Sequence, residues 1–230
     1  MSYNPYTLSQ VDARQRGIIS QVYAWMTAGL LVTGAVAMFV ASSEALLSLI
    51  FGTPLFFVLI LAEFGLVWFL SARIQRMAVG TATALFLLYS MLNGLTLSVI
   101  FLAYTEASIA TTFFITAGTF GAMSFYGYTT KRDLTSIGNL CFMALIGFLL
   151  ASLVNLFLRS EAFYWLLTYV GVLIFVGLTA WDTQKIKHMS MAAASAEQGQ
   201  RIAIYGALAL YLDFINLFLL LLRILGRSDD

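Results

Sequence analysis

The chain has 230 residues, of which 61% are hydrophobic and 10% charged, and its mean hydropathy is +0.90. An average soluble domain has roughly 45–50% apolar and 25% charged residues, so this composition predicts a membrane protein without a sizeable soluble domain. The formal net charge of +1 and the lack of a basic run argue against a nucleic-acid surface as the main role, so no nucleic-acid partner is expected.

Seven apolar stretches are each long enough to cross a bilayer, which takes about 20 residues in a helix. They cover residues 19–41, 54–72, 79–103, 109–128, 136–158, 162–182 and 202–225. Nearly all the polar breaks are short, which favours consecutive helices as antiparallel neighbours. The sequence therefore predicts an all-α membrane protein with seven transmembrane helices. It has an N-terminal segment at 1–18, a transmembrane domain at 19–225 and a short tail at 226–230.

The distribution of Lys and Arg predicts how the chain is oriented, because cytoplasmic loops carry an excess of these residues. Nine lie on one side of the predicted spans and three on the other. The nine are Arg14, Arg16, Arg73, Arg76, Lys131, Arg132, Lys185, Lys187 and Arg201, and the three are Arg159, Arg223 and Arg227. This imbalance predicts a cytoplasmic N-terminus and a C-terminus on the outer side.

Asp213 lies near the middle of the seventh span, where a charge is costly and usually faces other helices or a water cavity. At helical spacing it aligns with Gly206, Ala209 and Asn216, small or polar residues on a helix otherwise rich in Leu, Ile and Phe. Such a stripe predicts that this C-terminal helix is central in the bundle. A carboxylate held only for packing is the alternative.

Asp182 stands at the cytoplasmic end of the sixth span, where a solvated interfacial acid is the plain alternative. Its stripe nonetheless runs through Thr168, Gly171 and Thr179, interrupted by Phe175. If the two spans form a hairpin with its turn at 197–199, Asp182 and Asp213 are level and meet. This pairing requires the sixth helix to continue past the membrane through 187–188.

Two carboxylates that share a site cannot both ionise cheaply, so they titrate as a unit and form a proton switch. When ionised, they are also a hard oxygen site for a cation such as Ca²⁺, which needs further oxygen ligands. Asn216 is a candidate for such support, and so is Glu63, an acid in the middle of the second span. A protonated Glu63 hydrogen-bonded within the bundle is the alternative.

Arg73 and Arg76 end the second span on the predicted cytoplasmic side. An arginine there has the reach to pair with Asp182 and hold it ionised. Ordinary anchoring by basic residues explains both without such a latch.

An enzymatic function is not expected. A retinal-type photoreceptor needs a lysine deep in a span, and an intramembrane serine protease of the Ser-His kind needs a histidine there. The lysines lie in the loops, and the one histidine, His188, lies in the polar segment after the sixth span. An aspartyl intramembrane protease stays formally open because it uses an acid pair.

Three segments near the C-terminus form a specific motif: WDTQKIKH at 181–188, LYLDFINLF at 210–218 and LRILG at 222–226. They resemble the Bax inhibitor-1 family, also called the transmembrane Bax inhibitor motif family, and especially its bacterial members. A weaker similarity, such as GYTTKRDL at 127–134, extends over all seven spans.

The resemblance implies a seven-helix bundle with a central last helix and a pH-sensitive calcium leak governed by an aspartate pair. The family's paired aspartates fall on Asp182 and Asp213, and the acid of its second span falls on Glu63. Its latch arginine falls on Ile74, between Arg73 and Arg76. Trp181 stands where a tyrosine commonly precedes the aspartate in the family.

Together these observations predict a pH-sensitive calcium or cation leak channel of the bacterial inner membrane, gated by protonation of Asp182 and Asp213. The expected partners are the lipid bilayer, Ca²⁺ and protons, and no cofactor is expected. One alternative is an interaction protein that regulates a membrane partner such as a quality-control protease. A proton-coupled cation exchanger is another.

Overall fold

The computed structural model describes residues 5–227, with side chains from residue 12 onward. The predicted terminal segments at 1–18 and 226–230 extend past these bounds, and residues 1–4 and 228–230 lie outside the described part. The described chain is helical and contains no strand. Its helices are α1 (Pro5–Ala41), α2 (Glu44–Phe51), α3 (Leu55–Arg73), α4 (Val79–Leu97), α5 (Ile100–Ala103), α6 (Glu106–Thr129), α7 (Thr135–Leu158), α8 (Glu161–Met191) and α9 (Ala196–Leu225).

Within residues 5–227, seven helical stretches are long and apolar enough to cross a membrane, which confirms the predicted number. They are Asp12–Ala41, Leu55–Arg76, Val79–Ala103, Glu106–Thr129, Thr135–Leu158, Glu161–Met191 and Ala196–Leu225. The sixth runs on past residues 187–188 to Met191, as the pairing of Asp182 with Asp213 requires.

One polar break and one span differ from their predicted form. The break after the first span contains α2, which Ser43 caps by accepting a hydrogen bond from the Leu46 amide. The third span is interrupted between α4 and α5, where Ser98 bonds to the Leu95 carbonyl.

The predicted turn at residues 197–199 is wrong, because these residues form the first turn of α9. The connection between α8 and α9 instead lies at residues 192–195. Ser195 accepts a hydrogen bond from the Gln198 amide, and the Gln198 side chain accepts one from the Ala194 amide. Because of this reciprocal capping, α9 begins at Ala196, before the polar residues 197–199 that suggested a turn. Arg14 also donates to the Ala193 carbonyl at 3.2 Å and holds the connection.

The chain divides into two compact units, each containing parts of α8 and α9. The first contains α1–α5 with residues 186–211, and the second contains residues 104–185 with the chain from Leu212 onward. In the first unit, Gly199 lies against Ile18, and Gly206 lies against Val22 and Ile186. In the second, residues of α8 and α9 form an apolar core that includes Phe175.

The C-terminal helix is the most buried of the seven spans. In an apolar stretch of 18 residues of α9, 56% of the residues are buried, against 39% in the corresponding stretch of the next most buried span and none in that of α7. The predicted central position of α9 in the bundle stays a prediction.

Candidate functional site: a carboxyl pair between two helices

The two predicted aspartates come together in the second unit. Asp182 projects from α8 and Asp213 from α9, and their side chains are hydrogen-bonded to each other. Asp213 is only 4% exposed, whereas Asp182 is half-buried. The prediction that the two acids meet is confirmed, although the hairpin turn from which it was argued lies elsewhere.

A hydrogen bond between two carboxyl groups requires a proton on at least one of them. Lys185, one turn after Asp182 on α8, interacts electrostatically with that carboxyl group. Cys141 of α7 interacts electrostatically with Asp213. Oδ2 of Asp213 is buried without a hydrogen-bond partner. The pair therefore keeps an unused oxygen that can accept a proton, a hydrogen bond or a cation.

A cation at this site would receive two protein carboxylates. Within residues 5–227, no three His, Cys, Asp or Glu side chains are grouped so that they could hold a metal ion. Ca²⁺ takes six to eight oxygen ligands, so water and backbone oxygens would have to complete its shell.

The residues around Asp182 in the sequence hold its helix turn against α6 and α7. The Trp181 ring lies directly on Gly138 of α7, where a Cβ would come within 2.2 Å of the indole. The Thr183 hydroxyl lies 3.4 Å from that of Ser124 on α6. Gln184 bonds to two backbone groups of the α6–α7 connection. Asp182 thus sits on a turn that is fixed on several sides.

The polar stripe predicted on the sixth span is buried. Thr168 and Thr179 are fully buried, and Phe175, which interrupts the stripe, is 5% exposed. Each threonine hydroxyl donates to a carbonyl of the preceding turn, Tyr164 for Thr168 and Phe175 for Thr179. The stripe therefore faces protein and not lipid.

Asn216, proposed as a supporting ligand, is half-buried on α9. Its amide nitrogen donates to the Leu212 carbonyl at 2.8 Å, one turn back on the same helix. If Asn216 supports a cation, it does so through its amide oxygen.

Glu63 belongs to the first unit, where it is half-buried on α3. Thr96 of α4 donates a hydrogen bond to its Oε1 at 2.8 Å. Asn93 lies one turn before Thr96 and is hydrogen-bonded to Tyr89, whose ring lies 5.9 Å from that of Tyr211. Glu63, Thr96, Asn93, Tyr89 and Tyr211 thus form a polar layer inside this unit, with Glu63 at one edge.

Tyr211 connects that polar layer to α1 and α4. It is fully buried, and its hydroxyl lies 2.7 Å from that of Thr33 on α1. The Thr33 hydroxyl also lies 2.9 Å from the Ser90 carbonyl of α4. Sequence reasoning missed this network because tyrosine and threonine in an apolar helix resemble ordinary packing residues.

The two candidate latch residues, Arg73 and Arg76, are exposed at the end of α3 and in the single 3₁₀ turn that follows it. Ile74, to which the resemblance assigns the latch position, is fully buried. The arginine that binds this turn is Arg201 of α9, which donates to the Gln75 carbonyl at 3.0 Å and forms an ion pair with Glu197. From the sequence, Arg201 is predicted only as one of the basic residues on the cytoplasmic side.

Comparison with known proteins identifies full-length relatives. Residues 15–230 match the family described as Inhibitor of apoptosis-promoting Bax1. The chain is 58% identical to inner membrane protein YbhL of Escherichia coli K12, with 96% of each chain covered. It is 46% identical to protein RP147 of Rickettsia prowazekii, covering 95% of this chain and 93% of that one. A Streptococcus pyogenes serotype M1 membrane protein is 38% identical, with 97% of each chain covered.

Proposed function

This chain belongs to the Bax inhibitor-1 family and is a multi-pass inner membrane protein, and from this premise we propose that it is a pH-sensitive cation leak that conducts Ca²⁺. Protonation of Asp182 and Asp213 controls the leak. The proposed leak involves only protons and the cation, with no enzymatic step and no resident cofactor.

The observation that carries this proposal is the hydrogen-bonded carboxyl pair that joins α8 to α9. Acids inside a span are costly and tend to mark ion or proton pathways. Here two of them are hydrogen-bonded to each other, and Asp213 keeps a buried oxygen without a partner. The pair can therefore exist in states of different charge without any other residue changing.

Loss of the shared proton changes the forces between the two helices. With the proton, a hydrogen bond holds the two carboxyl groups together. Without it, two negative charges repel each other in a medium of low dielectric constant, and they attract a cation. We propose that this change repacks α8 against α9 and that Ca²⁺ replaces the lost proton as the neutralising charge.

The proposed orientation places the N-terminus in the cytoplasm, because the basic residues favour that side by nine to three. The α8–α9 connection is then cytoplasmic and the α7–α8 connection is on the outer side. Asp182 consequently lies toward the cytoplasmic end of its span, and the proton that it shares comes from that side.

The test is Ca²⁺ flux into dye-loaded liposomes that contain the purified protein, measured across a pH range of roughly 5 to 8, which brackets the titration of a buried carboxyl group. We expect a pH-dependent flux in the wild type and a flux that no longer depends on pH in Asp213→Asn. Glu161→Gln, which neutralises an exposed acid in the first turn of α8, is the matched control and keeps the pH dependence.

Two outcomes would refute the leak. Flux no higher than in empty liposomes at every pH would favour the role of an interaction protein that regulates a membrane partner. Flux that requires an opposing proton gradient, and stops when the gradient is collapsed at constant pH, would identify a proton-coupled exchanger.

A further inference from the structure

One face of α6 carries a hydroxyl group on nearly every turn. At intervals of four residues this face presents Ser108, Thr112, Thr116, Phe120 and Ser124, so that Phe120 is the one member without a hydroxyl group. Residues four apart are neighbours on the surface of a helix, so these side chains form a single row, the hydroxyl row of α6. The row is buried from Thr112 to Ser124, and all of it belongs to the second unit.

Thr112 differs from the other buried threonines of this unit. Thr116 and Thr179, for example, each donate a hydrogen bond to a carbonyl one turn back on their own helix. The Thr112 hydroxyl has no hydrogen-bond partner, although Thr112 is only 1% exposed. A buried hydroxyl group without a protein partner is normally satisfied by water. Thr112 therefore marks a place in the hydroxyl row that water reaches.

Aromatic rings interrupt the hydroxyl row near its middle. The Phe214 ring of α9 lies 5.5 Å from the Phe120 ring and 5.4 Å from the Phe113 ring, measured between ring centres. Phe113 and Phe120 are about two helical turns apart on α6, so the Phe214 ring lies across the turn that carries Thr116. Phe214 and Phe120 are both buried. An apolar contact thus separates Thr116 from Ser124 along the row.

Beyond this contact the hydroxyl row reaches the level of the carboxyl pair. The Ser124 hydroxyl lies 3.4 Å from that of Thr183 on α8, and Thr183 directly follows Asp182 in the sequence. Phe214 in turn directly follows Asp213. The aromatic contact therefore lies between the carboxyl groups and the hydroxyl groups near the start of α6.

We propose that the hydroxyl row of α6 is the hydrated route by which the cation reaches the carboxyl pair, and that Phe214 closes this route by its contact with Phe120. This inference rests on the proposed function, because it supplies a path to the same site. Hydroxyl oxygens can replace part of the water around Ca²⁺, whereas an apolar constriction excludes water and with it the ion. In the proposed orientation the row begins on the outer side. Movement of α9 that carries Phe214 away from α6 opens the route.

The first test measures how fast Ag⁺, a small thiol-reactive cation, modifies single cysteines of the full chain in lipid nanodiscs. Every cysteine variant carries Cys141→Ser, which removes the native cysteine. We expect Thr112→Cys to react about tenfold faster or more than Ala122→Cys, because Ala122 is exposed on another face of α6 and faces lipid, which excludes ions. Thr116→Cys should react about tenfold more slowly than Thr112→Cys, because the Phe214 ring covers it.

Phe214→Ala removes the ring that closes the route. We expect it to raise the reaction rate of Thr116→Cys about tenfold or more and to leave that of Thr112→Cys almost unchanged. Ca²⁺ flux into liposomes, measured at the pH at which the wild-type flux is lowest, should rise about fivefold or more. Phe125→Ala is the matched control, because it removes a 70% exposed ring from α6, and it should change neither quantity. If Phe214→Ala does not fold, Phe120→Thr completes the hydroxyl row and should give the same increases.

Three results of the Ag⁺ experiment would overturn the inference. The first is a Thr112→Cys rate no higher than that of Ala122→Cys. The second is a Thr116→Cys rate that equals that of Thr112→Cys in the presence of Phe214, or that stays unchanged in a folded Phe214→Ala protein. The third is an equal rise in the Thr116→Cys rate in the control that lacks the exposed ring, because the effect would then reflect general loosening of α6.

The flux measurement separates this inference from the proposed function. If Phe214→Ala speeds the modification of Thr116→Cys but no variant conducts Ca²⁺, the leak is refuted and the hydrated row closed by Phe214 remains. If the wild type conducts Ca²⁺ and Phe214→Ala speeds the modification without raising the flux, the cation takes another route and the inference is overturned.

Discussion

The Thr96 hydroxyl donates a hydrogen bond of 2.8 Å to Oε1 of Glu63, and this bond joins α4 to α3 within the first unit. Thr96 is 8% exposed, so water has little access to Oε1 of Glu63 from the side of Thr96. Its hydroxyl also lies 3.1 Å from the Asn93 carbonyl of its own helix. Because one hydroxyl proton serves one strong bond, Glu63 competes with the helix backbone for it.

We predict that Thr96→Val destabilises the protein by about 1–3 kcal/mol, because it leaves a half-buried carboxyl group without its donor. Thr83→Val on the same helix is the control, since the Thr83 hydroxyl donates only to the Val79 carbonyl one turn back. Thermal unfolding in detergent would measure both. Equal losses in the two variants would show that the bond to Glu63 contributes nothing.

Gly138 provides a second pair of matched variants. A Cβ at this position would overlap the Trp181 ring at 2.2 Å, whereas a Cβ at Gly147 of the same helix meets nothing within 4 Å. We predict that Gly138→Ala destabilises the protein by about 1–3 kcal/mol through overpacking, and that Gly147→Ala leaves stability unchanged or slightly raises it. Thermal unfolding again provides the comparison.

The cause of the Gly138 effect can be checked directly. Trp181→Ala on the Gly138→Ala background removes the ring with which the new methyl group collides. The double variant should therefore be more stable than the sum of the two single losses implies. Additive losses would contradict the contact between Trp181 and Gly138.

The sequence predicted the seven spans because each needs about 20 apolar residues, and this requirement leaves little freedom in their number. It misplaced the α8–α9 turn because Glu197, Gln198 and Gly199 have the composition of a turn. The capping by Ser195 and Gln198 depends on geometry that composition does not show. Gly199 is in fact a packing residue, with a Cβ at that position 3.0 Å from Ile18.

The acid pair was predictable because charge inside a span is rare and two acids on facing polar stripes stand out. The residues that hold the pair were not predictable. Gln184 is read in the sequence as part of a solvated polar segment, yet it is buried and bound to the α6–α7 connection. That partner is distant in sequence, and no spacing rule points to it.

The orientation of the chain has a direct test. Ala194 is exposed in the α8–α9 connection and Ala162 is exposed at the start of α8. On a Cys141→Ser background, we predict that Ala162→Cys reacts with a membrane-impermeant maleimide in intact cells and that Ala194→Cys reacts only after the membrane is opened. The reverse pattern would contradict a cytoplasmic N-terminus.

The proposed function predicts competition between Ca²⁺ and protons for the carboxyl pair. Ca²⁺ binds ionised carboxylates, so we predict that Ca²⁺ binding to Asp182 and Asp213 displaces a proton from the pair. By linkage, the apparent affinity for Ca²⁺ rises with pH, about tenfold per unit while one proton is displaced, and levels off once the free pair is ionised.

Calorimetric titration with Ca²⁺ in buffers of different ionisation enthalpy counts the protons released at each pH. We predict release of about one proton per bound ion in the wild type at the acidic end of the range and a pH-independent, weaker affinity in Asp213→Asn. The exposed-acid control Glu161→Gln should match the wild type. Calcium binding without proton release in the wild type would show that the ion does not bind to the carboxyl pair, and the gate would then need another explanation.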